Sequence, residues 1–312
     1  MHESYLHSVW RRFRYHKVGF VSLFIVLAIA VLALLAPVIA PYAPTDISAD
    51  FLSAPSREHI LGTDQIGRDI LSRLLYGARV SLLVGVLATV LSTAIGVTLG
   101  LIAGYFGGIA DGIIMRFTDI VMSFPPILLI LVAGVIFEPG LWTMILIFGF
   151  VDWPGVARLV RGNVLTLKEQ NFVKSSRIAG MSRRYILFSD ILPNVVAPIL
   201  VFATTVMATS ILDEAALSFL GLGIQPPMAS LGNMLDGAES VSILTNAPWM
   251  WLSPGIVIIL LVICVNFIGD ALRDAVDPSM TRYGTLFRYG RNQRREKKVQ
   301  GERTAEEVEE TE

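Results

Sequence analysis

The sequence predicts an all-α polytopic membrane protein with six transmembrane helices, and three observations carry that prediction. Hydrophobic residues make up 54% of the 312-residue chain and charged residues only 16%, against about 25% charged in an ordinary soluble domain; mean hydropathy is +0.63. The apolar residues gather in runs close to the ~20 residues a helix needs to cross a bilayer. Positive charge is sorted between the runs. Seven basic residues lie from Arg158 to Arg184, and none lies between Arg184 and Arg273. Loops rich in Lys and Arg stay on the cytoplasmic side, so this sorting sets an orientation.

Residues 1–17 carry Arg11, Arg12, Arg14 and Lys17 ahead of the first apolar run and read as a cytoplasmic N-terminus. The first span, Val18–Ala40, is too long for a cleaved signal and is ended by Pro37 and Pro41. An extracytoplasmic segment follows over 41–79, where Arg57, Arg68, Arg73 and Arg79 stand beside five acids and leave the charge rule neutral. A five-helix core with its loops is expected over 80–278. Its first helix, the second span, is Val80–Ala103 and repeats Gly96, Gly100 and Gly104 at four-residue intervals, with Gly85, Ala88 and Ser92 extending the small face. Close helix packing is expected there, because backbone approach does in lipid what hydrophobic drive does in water; a flexible hinge is the alternative. The third span, Ile120–Phe137, contains Pro125-Pro126, which must kink it or delay its start; such a distortion either lines a translocation path or serves simple helix packing, and both readings stand equal. The fourth, Leu141–Val160, is interrupted by Asp152-Trp153-Pro154 and is expected to be short or broken there. Asp152 is a mid-span carboxylate in need of a partner, by structural pairing or by facing a pore.

The turn after the fourth span is the basic one and faces the cytoplasm. The fifth span is Pro193–Leu212; the loop Asp213–Pro248 carries only acids (Asp213, Glu214, Asp236, Glu239) and faces outward; the sixth span is Trp249–Ile268. The tail over 279–312 is basic and then acidic, a composition that predicts disorder on the cytoplasmic side. Asp64, Asp69, Asp213 and Glu214 are read as capping or solvated edge carboxylates. The lone cysteine, Cys264, excludes an internal disulfide and reads as buried filler.

Within the cytoplasmic turn, 171–190 holds two short amphipathic stretches separated by Gly180, which suits a tight turn, and Pro193 starts the next span where its missing N–H matters least. Phe172, Ser176, Ala179 and Arg183 form one side; Val173, Ile178, Ile186 and Leu187 supply apolar contacts. From the residues alone, docking on anionic lipid and docking in a groove of a soluble subunit are equally open.

This stretch resembles the cytoplasmic loop of ABC importer permeases, whose pattern is Glu-Ala-Ala, three residues, Gly, and later Ile-x-Leu-Pro. Gly180, Leu192 and Pro193 match; Lys174, Ser175 and Ser176 stand where Glu-Ala-Ala is usual, at preserved spacing. Leu61–Asp69 with Tyr76–Arg79, Ala216–Pro227, and Asn266–Asp274 with Asp277-Pro278 are similar to segments of dipeptide and oligopeptide permeases of the C-subunit type, so the resemblance spans about Arg11 to Pro278. It implies a type I importer permease in the inner (plasma) membrane. It also implies a second homologous permease subunit, two ABC ATPase subunits, an extracytoplasmic solute-binding protein and a di- or oligopeptide substrate; nickel complexes or another small solute are the alternative. The loop would be the coupling helix seated in the ATPase.

No Gly-x-x-x-x-Gly-Lys-[Ser/Thr] loop occurs, and all four histidines precede the second span. The chain is therefore not expected to bind ATP in the usual way, to act as an enzyme, or to hold a metal or cofactor, and no nucleic-acid partner is expected. An ion-coupled secondary transporter would need paired halves with broken helices; no internal repeat is visible.

Overall fold

A computed structural model describes residues 5–236 and 240–276. The expected tail over 279–312 and the Asp277-Pro278 motif lie outside the described residues, as does Glu239. The helices in order are α1 (Tyr5–Tyr15), α2 (Lys17–Leu34), α3 (Ala36–Ile39), α4 (Ile70–Phe106), α5 (Gly108–Met122), α6 (Pro126–Ile136), α7 (Leu141–Leu167), α8 (Asn171–Ile178), α9 (Arg183–Tyr185), a π-helical turn (Ile186–Ile191), α10 (Leu192–Phe219), α11 (Val241–Asn246) and α12 (Pro248–Val276). Five helical stretches are long and apolar enough to cross a membrane: α2, α4, α7, the continuous run Arg183–Phe219, and α12. A sixth crossing requires α5 and α6 to count together, although they meet at an angle of 83°.

The third span is thus not one helix over Ile120–Phe137. Pro126 lacks an N–H, and the Pro125 ring drives the preceding residue out of helical geometry. Pro125 itself is extended, at φ −58° and ψ 126°. Its carbonyl accepts from the N–H of Leu128 and Leu129 and starts a new helix. Helix also begins earlier than the expected span, at Gly108, across a stretch that carries Asp111, Arg116 and Asp119. The fourth span corrects the sequence reading in the opposite sense: α7 runs unbroken through Asp152-Trp153-Pro154 to Leu167. An internal proline costs a helix about 3 kcal/mol; here packing along almost the whole of α4 outweighs that local penalty. The second, fifth and sixth spans extend beyond their apolar runs. α4, for example, starts ten residues before Val80 because Asp69 caps it by accepting from the Ser72 N–H at 2.8 Å.

The contact between α4 and α7 is the spine of the molecule. Val156, Val160 and Val164 of α7 sit over Gly96, Gly100 and Gly104 of α4 in the same order, so the two helices run parallel. α10 lies antiparallel on another side of α4, where Gly85 faces Ile211 and Ser81 meets Glu214; Gly77 faces Ser230 of the segment after α10. α12 packs against α10 and α2, and α1 folds onto the end of α12 through Phe13, Ala271 and Ala275. One end of the bundle therefore gathers the starts of α4, α7 and α12. The other gathers the ends of α4, α7 and α12, the start of α10, and the α8–α9 bend. Cys264 is buried.

Candidate functional site

Three constellations stand out, one at each end of the bundle and one inside it. At the bend, α8 ends in a Schellman motif: the Gly180 N–H donates to Arg177 O at 3.1 Å and the Met181 N–H to Ser176 O at 3.1 Å. The motif requires a left-handed residue, and Gly180 has φ +76° with nothing within 4 Å of the position a Cβ would take. Ser182 then caps α9, its hydroxyl accepting from the Tyr185 N–H at 3.2 Å. Val173 and Ile186 turn inward with Ile191 onto Val156, Val160 and Val164 of α7, and Leu192 packs against the same cluster. The bend is therefore held to the bundle by a small apolar base.

Its other face is open. Phe172, Ile178, Met181, Tyr185 and Phe188 are all exposed, Ile178 by 88%, among exposed Lys174, Arg177, Arg183 and Arg184. Ile178, expected to supply an apolar contact with Val173, Ile186 and Leu187, makes none inside the bundle: Val173 is the buried residue of α8 and Ile178 stands in the open. Lys174, where the family pattern has an acid, lies 3.2 Å from Glu169. Ser175 is exposed and Ser176 half-buried, while Pro193 opens α10 from an exposed position.

The second constellation lies within the bundle. Asp152 opens into a cleft of about 260 Å³ beside the α5–α6 break, lined also by Met122, Phe124, Pro126, Leu129 and Pro154. Its carboxylate accepts from the Ser210 hydroxyl of α10 at 3.4 Å. The residue lies eleven positions into α7, or roughly 16 Å from that helix's start at 1.5 Å per residue. The structure thus brings Asp152 and the proline break into one place. Gly96 and Gly100 are elsewhere, closed under the α7 valines. α5 is tied to α7 by two ion pairs at the bend end, Asp111–Arg161 (2.5 Å) and Asp119–Arg158 (2.7 Å).

The third constellation was read wrongly in the sequence. Glu214 is fully buried rather than solvated at an edge. Its two oxygens accept from the Ser81 hydroxyl of α4 at 2.5 Å and the Ser218 hydroxyl of α10 at 2.7 Å. Each serine also accepts from the irregular segment after α10: Ser218 from the Ile224 N–H at 3.0 Å, Ser81 from the Leu231 N–H at 3.4 Å. One carboxylate thereby clasps both ends of 224–231 against the bundle. Gly232 lies so close to Ala215 that a Cβ would strike its backbone. The signal was the Glu-x-x-x-Ser spacing of Glu214 and Ser218; the partner Ser81, 133 residues away, had none.

The comparisons with known proteins agree with this architecture. Residues 96–282 match the model of the binding-protein-dependent transport system inner membrane component, and residues 4–55 match the N-terminal transmembrane domain of oligopeptide transport permease C. The chain is 45% identical over 282 residues to the dipeptide transport system permease protein DppC of Escherichia coli K12, covering 88% of this chain and 93% of that one. It is 43% identical over 268 residues to a putative peptide permease protein of Brucella suis biovar 1, covering 86% and 89%. Among solved structures, a chain of the methionine ABC transporter MetNI in an inward-facing conformation superposes with a TM-score of 0.55 at 20% identity, covering 67% of this chain and 98% of that one. That likeness shows the fold. The chain, a bundle with a helix pair broken at Pro125-Pro126 and a glycine-turned basic bend, is matched by a family model over more than half its length and by relatives over almost all of theirs, and it belongs to the family of binding-protein-dependent transport system inner membrane components, the permease subunits of ABC importers.

Proposed function

We propose that the chain is the membrane permease of a peptide importer, lying in the inner membrane with six crossings, the broken α5–α6 pair being the third. The bend and the α1 and α12 ends face the cytoplasm, and the starts of α4, α7 and α12 face outward. This orientation rests on the charge sorting, since Lys168, Lys174, Arg177, Arg183 and Arg184 gather at the bend end. The peptide class rests on the named relatives, described as permeases for dipeptides or peptides. ATP hydrolysis belongs to separate subunits of the transporter.

The bend carries the coupling role. An exposed apolar face ringed by basic residues, mounted on a rigid apolar base, is suited to a groove on a soluble partner; two ATPase subunits, a second permease and an extracytoplasmic binding protein complete the assembly in this reading. Closure of the ATPase pair would press on Phe172, Ile178 and Met181, and the packed base would carry the displacement into α7 and α10. The Asp152 cleft, where a crossing is broken and a carboxylate is left half-buried, is the segment of the path this chain contributes. ATP and solute must favour different states of the pair for transport to be driven at all.

Gly180→Val tests the coupling role. The position is open, so no clash arises; the cost is the left-handed backbone alone, about 1–2 kcal/mol. The variant is expected to insert and assemble but to lose peptide uptake, and a cysteine at Ser176 is expected to crosslink to the ATPase. Undiminished uptake by Gly180→Val, or crosslinking of the Ser176 cysteine to lipid probes alone in an active complex, would overturn the assignment.

A further inference from the structure

At the end of the bundle opposite the bend, a cleft of about 220 Å³ lies between the start of α4, the segment before residue 236 and the start of α12. Arg73 forms part of its floor. The residue is only 3% exposed, and its Nη1 meets no acceptor among the described residues. A guanidinium offers five N–H donors and, when buried, needs acceptors for them.

The nearest acid cannot supply them. Asp64 Oδ1 accepts from the N–H groups of Ile66 (3.0 Å) and Arg68 (2.9 Å), and Oδ2 accepts from Arg68 Nε at 2.7 Å. Arg73 Nε stands at 3.7 Å from that same Oδ2, outside hydrogen-bond distance. One carboxylate thus faces two guanidiniums, and Arg68 holds it. Asn233, also on the cleft wall, spends its amide on Ile224 O and Met228 O and its carbonyl on the Ser230 N–H. Asp236 stands exposed at the mouth, and among the described residues no ion pair joins it to either arginine. Asp64 and Asp236 match the two arginines of the lining in number, yet Nη1 of Arg73 is left without an acceptor among the described residues, a planar guanidinium donor of the kind that receives a carboxylate.

Size narrows the ligand. Sites for whole small molecules run from ~300 to 1,000 Å³, so this cleft suits one side chain better than an entire peptide. Depth narrows it further: Arg73 is three residues into α4, ~5 Å from its start, whereas the Asp152 cleft is far deeper. We propose that this cleft is a socket for an acidic side chain of the soluble binding protein, which enters from outside and takes the Arg73 donors that Asp64 leaves free. The inference rests on the importer reading above.

The test uses the complete transporter in nanodiscs with its purified, peptide-loaded binding protein. Arg73→Gln is expected to weaken docking by about tenfold or more, as for other desolvated charge pairs, while ATPase activity without the binding protein is unchanged. In Arg73→Lys, a zero-length carbodiimide is expected to couple the introduced amine to an Asp or Glu of the binding protein, identified by mass spectrometry. Coupling only to Asp64 or Asp236 of the same chain, or to the peptide's own carboxylate, overturns the socket; so does docking by Arg73→Gln at wild-type affinity. Should Arg73→Gln fail to assemble, the Arg73→Lys coupling still decides. A wild-type complex that the binding protein neither docks on nor stimulates would instead refute the importer reading itself.

Discussion

Replacing Gly100 with alanine probes the α4–α7 spine directly. A Cβ at this position would stand 2.6 Å from the Ala157 carbonyl oxygen and 2.7 Å from the Val160 Cβ. Comfortable carbon contacts lie near 3.5–4.0 Å, so the helices would have to part by roughly 1 Å. One of the two obstacles is backbone and cannot rotate away. Overpacking of this kind costs about 1–3 kcal/mol, but alanine also gains about 1 kcal/mol of helix propensity over glycine, which blurs a single measurement. Gly162 supplies the control: it lies in the interior of α7, and a Cβ there meets nothing within 4 Å. Propensity cancels between Gly100→Ala and Gly162→Ala, so the first should be less stable than the second by ~1–3 kcal/mol. Equilibrium unfolding of the purified proteins in one detergent mixture measures the difference. Equal stabilities, or a more stable Gly100→Ala, would refute the close packing. A variant that unfolds normally but transports slowly would point to the hinge instead.

Two further outcomes follow from the carboxylates of Glu214 and Asp152. Glu214→Ala strips the acceptor from the buried Ser81 and Ser218 hydroxyls, at about 1–3 kcal/mol for each unsatisfied group, and should release 224–231, making a cysteine at Met228 react faster with impermeant thiol reagents in intact cells; Glu214→Gln, which keeps one acceptor, should be intermediate, and unchanged labelling in both would dismiss the clasp. Asp152→Asn should leave unfolding within about 0.5 kcal/mol of the parent, since the only hydrogen bond to Asp152 described is the long one from Ser210, yet cut peptide uptake by about tenfold at equal protein level; full uptake would remove the cleft from the path.

The sequence made legible whatever depends on spacing along one helix or on a single backbone angle. Glycines four apart announce a small face, and Gly180 between two amphipathic stretches announces a left-handed turn. What faces them was not legible, because the α7 valines over Gly96, Gly100 and Gly104 are ordinary apolar residues until the two helices are placed side by side. Pro154 shows the reverse failure. A local rule breaks the helix there, and contact with α4, invisible to the rule, keeps it whole. At Pro125-Pro126 the same rule holds, and the chain turns by 83°. Glu214 was misread for a related reason: a carboxylate near a span edge reads as solvated unless its serine partners, one of them on α4, are known.

The distribution of packing also bears on which parts move together. Val156, Val160 and Val164 belong to the apolar cluster that seats Val173, Ile186 and Ile191 of the bend, and they are also the residues closed over the α4 glycines. A push on the bend therefore meets α7 and α4 as one close-packed unit, which interiors of native density do not absorb by local give. α5 and α6 are held differently. Asp111–Arg161 and Asp119–Arg158 tie α5 to α7 near the bend, the latter pair more than half exposed, and polar ties of this sort are exchanged more readily than interlocked apolar surface. Under the proposed coupling role, the boundary that opens is the one between the α4–α7 spine and the broken crossing, and Asp152 stands on that boundary, on the spine side.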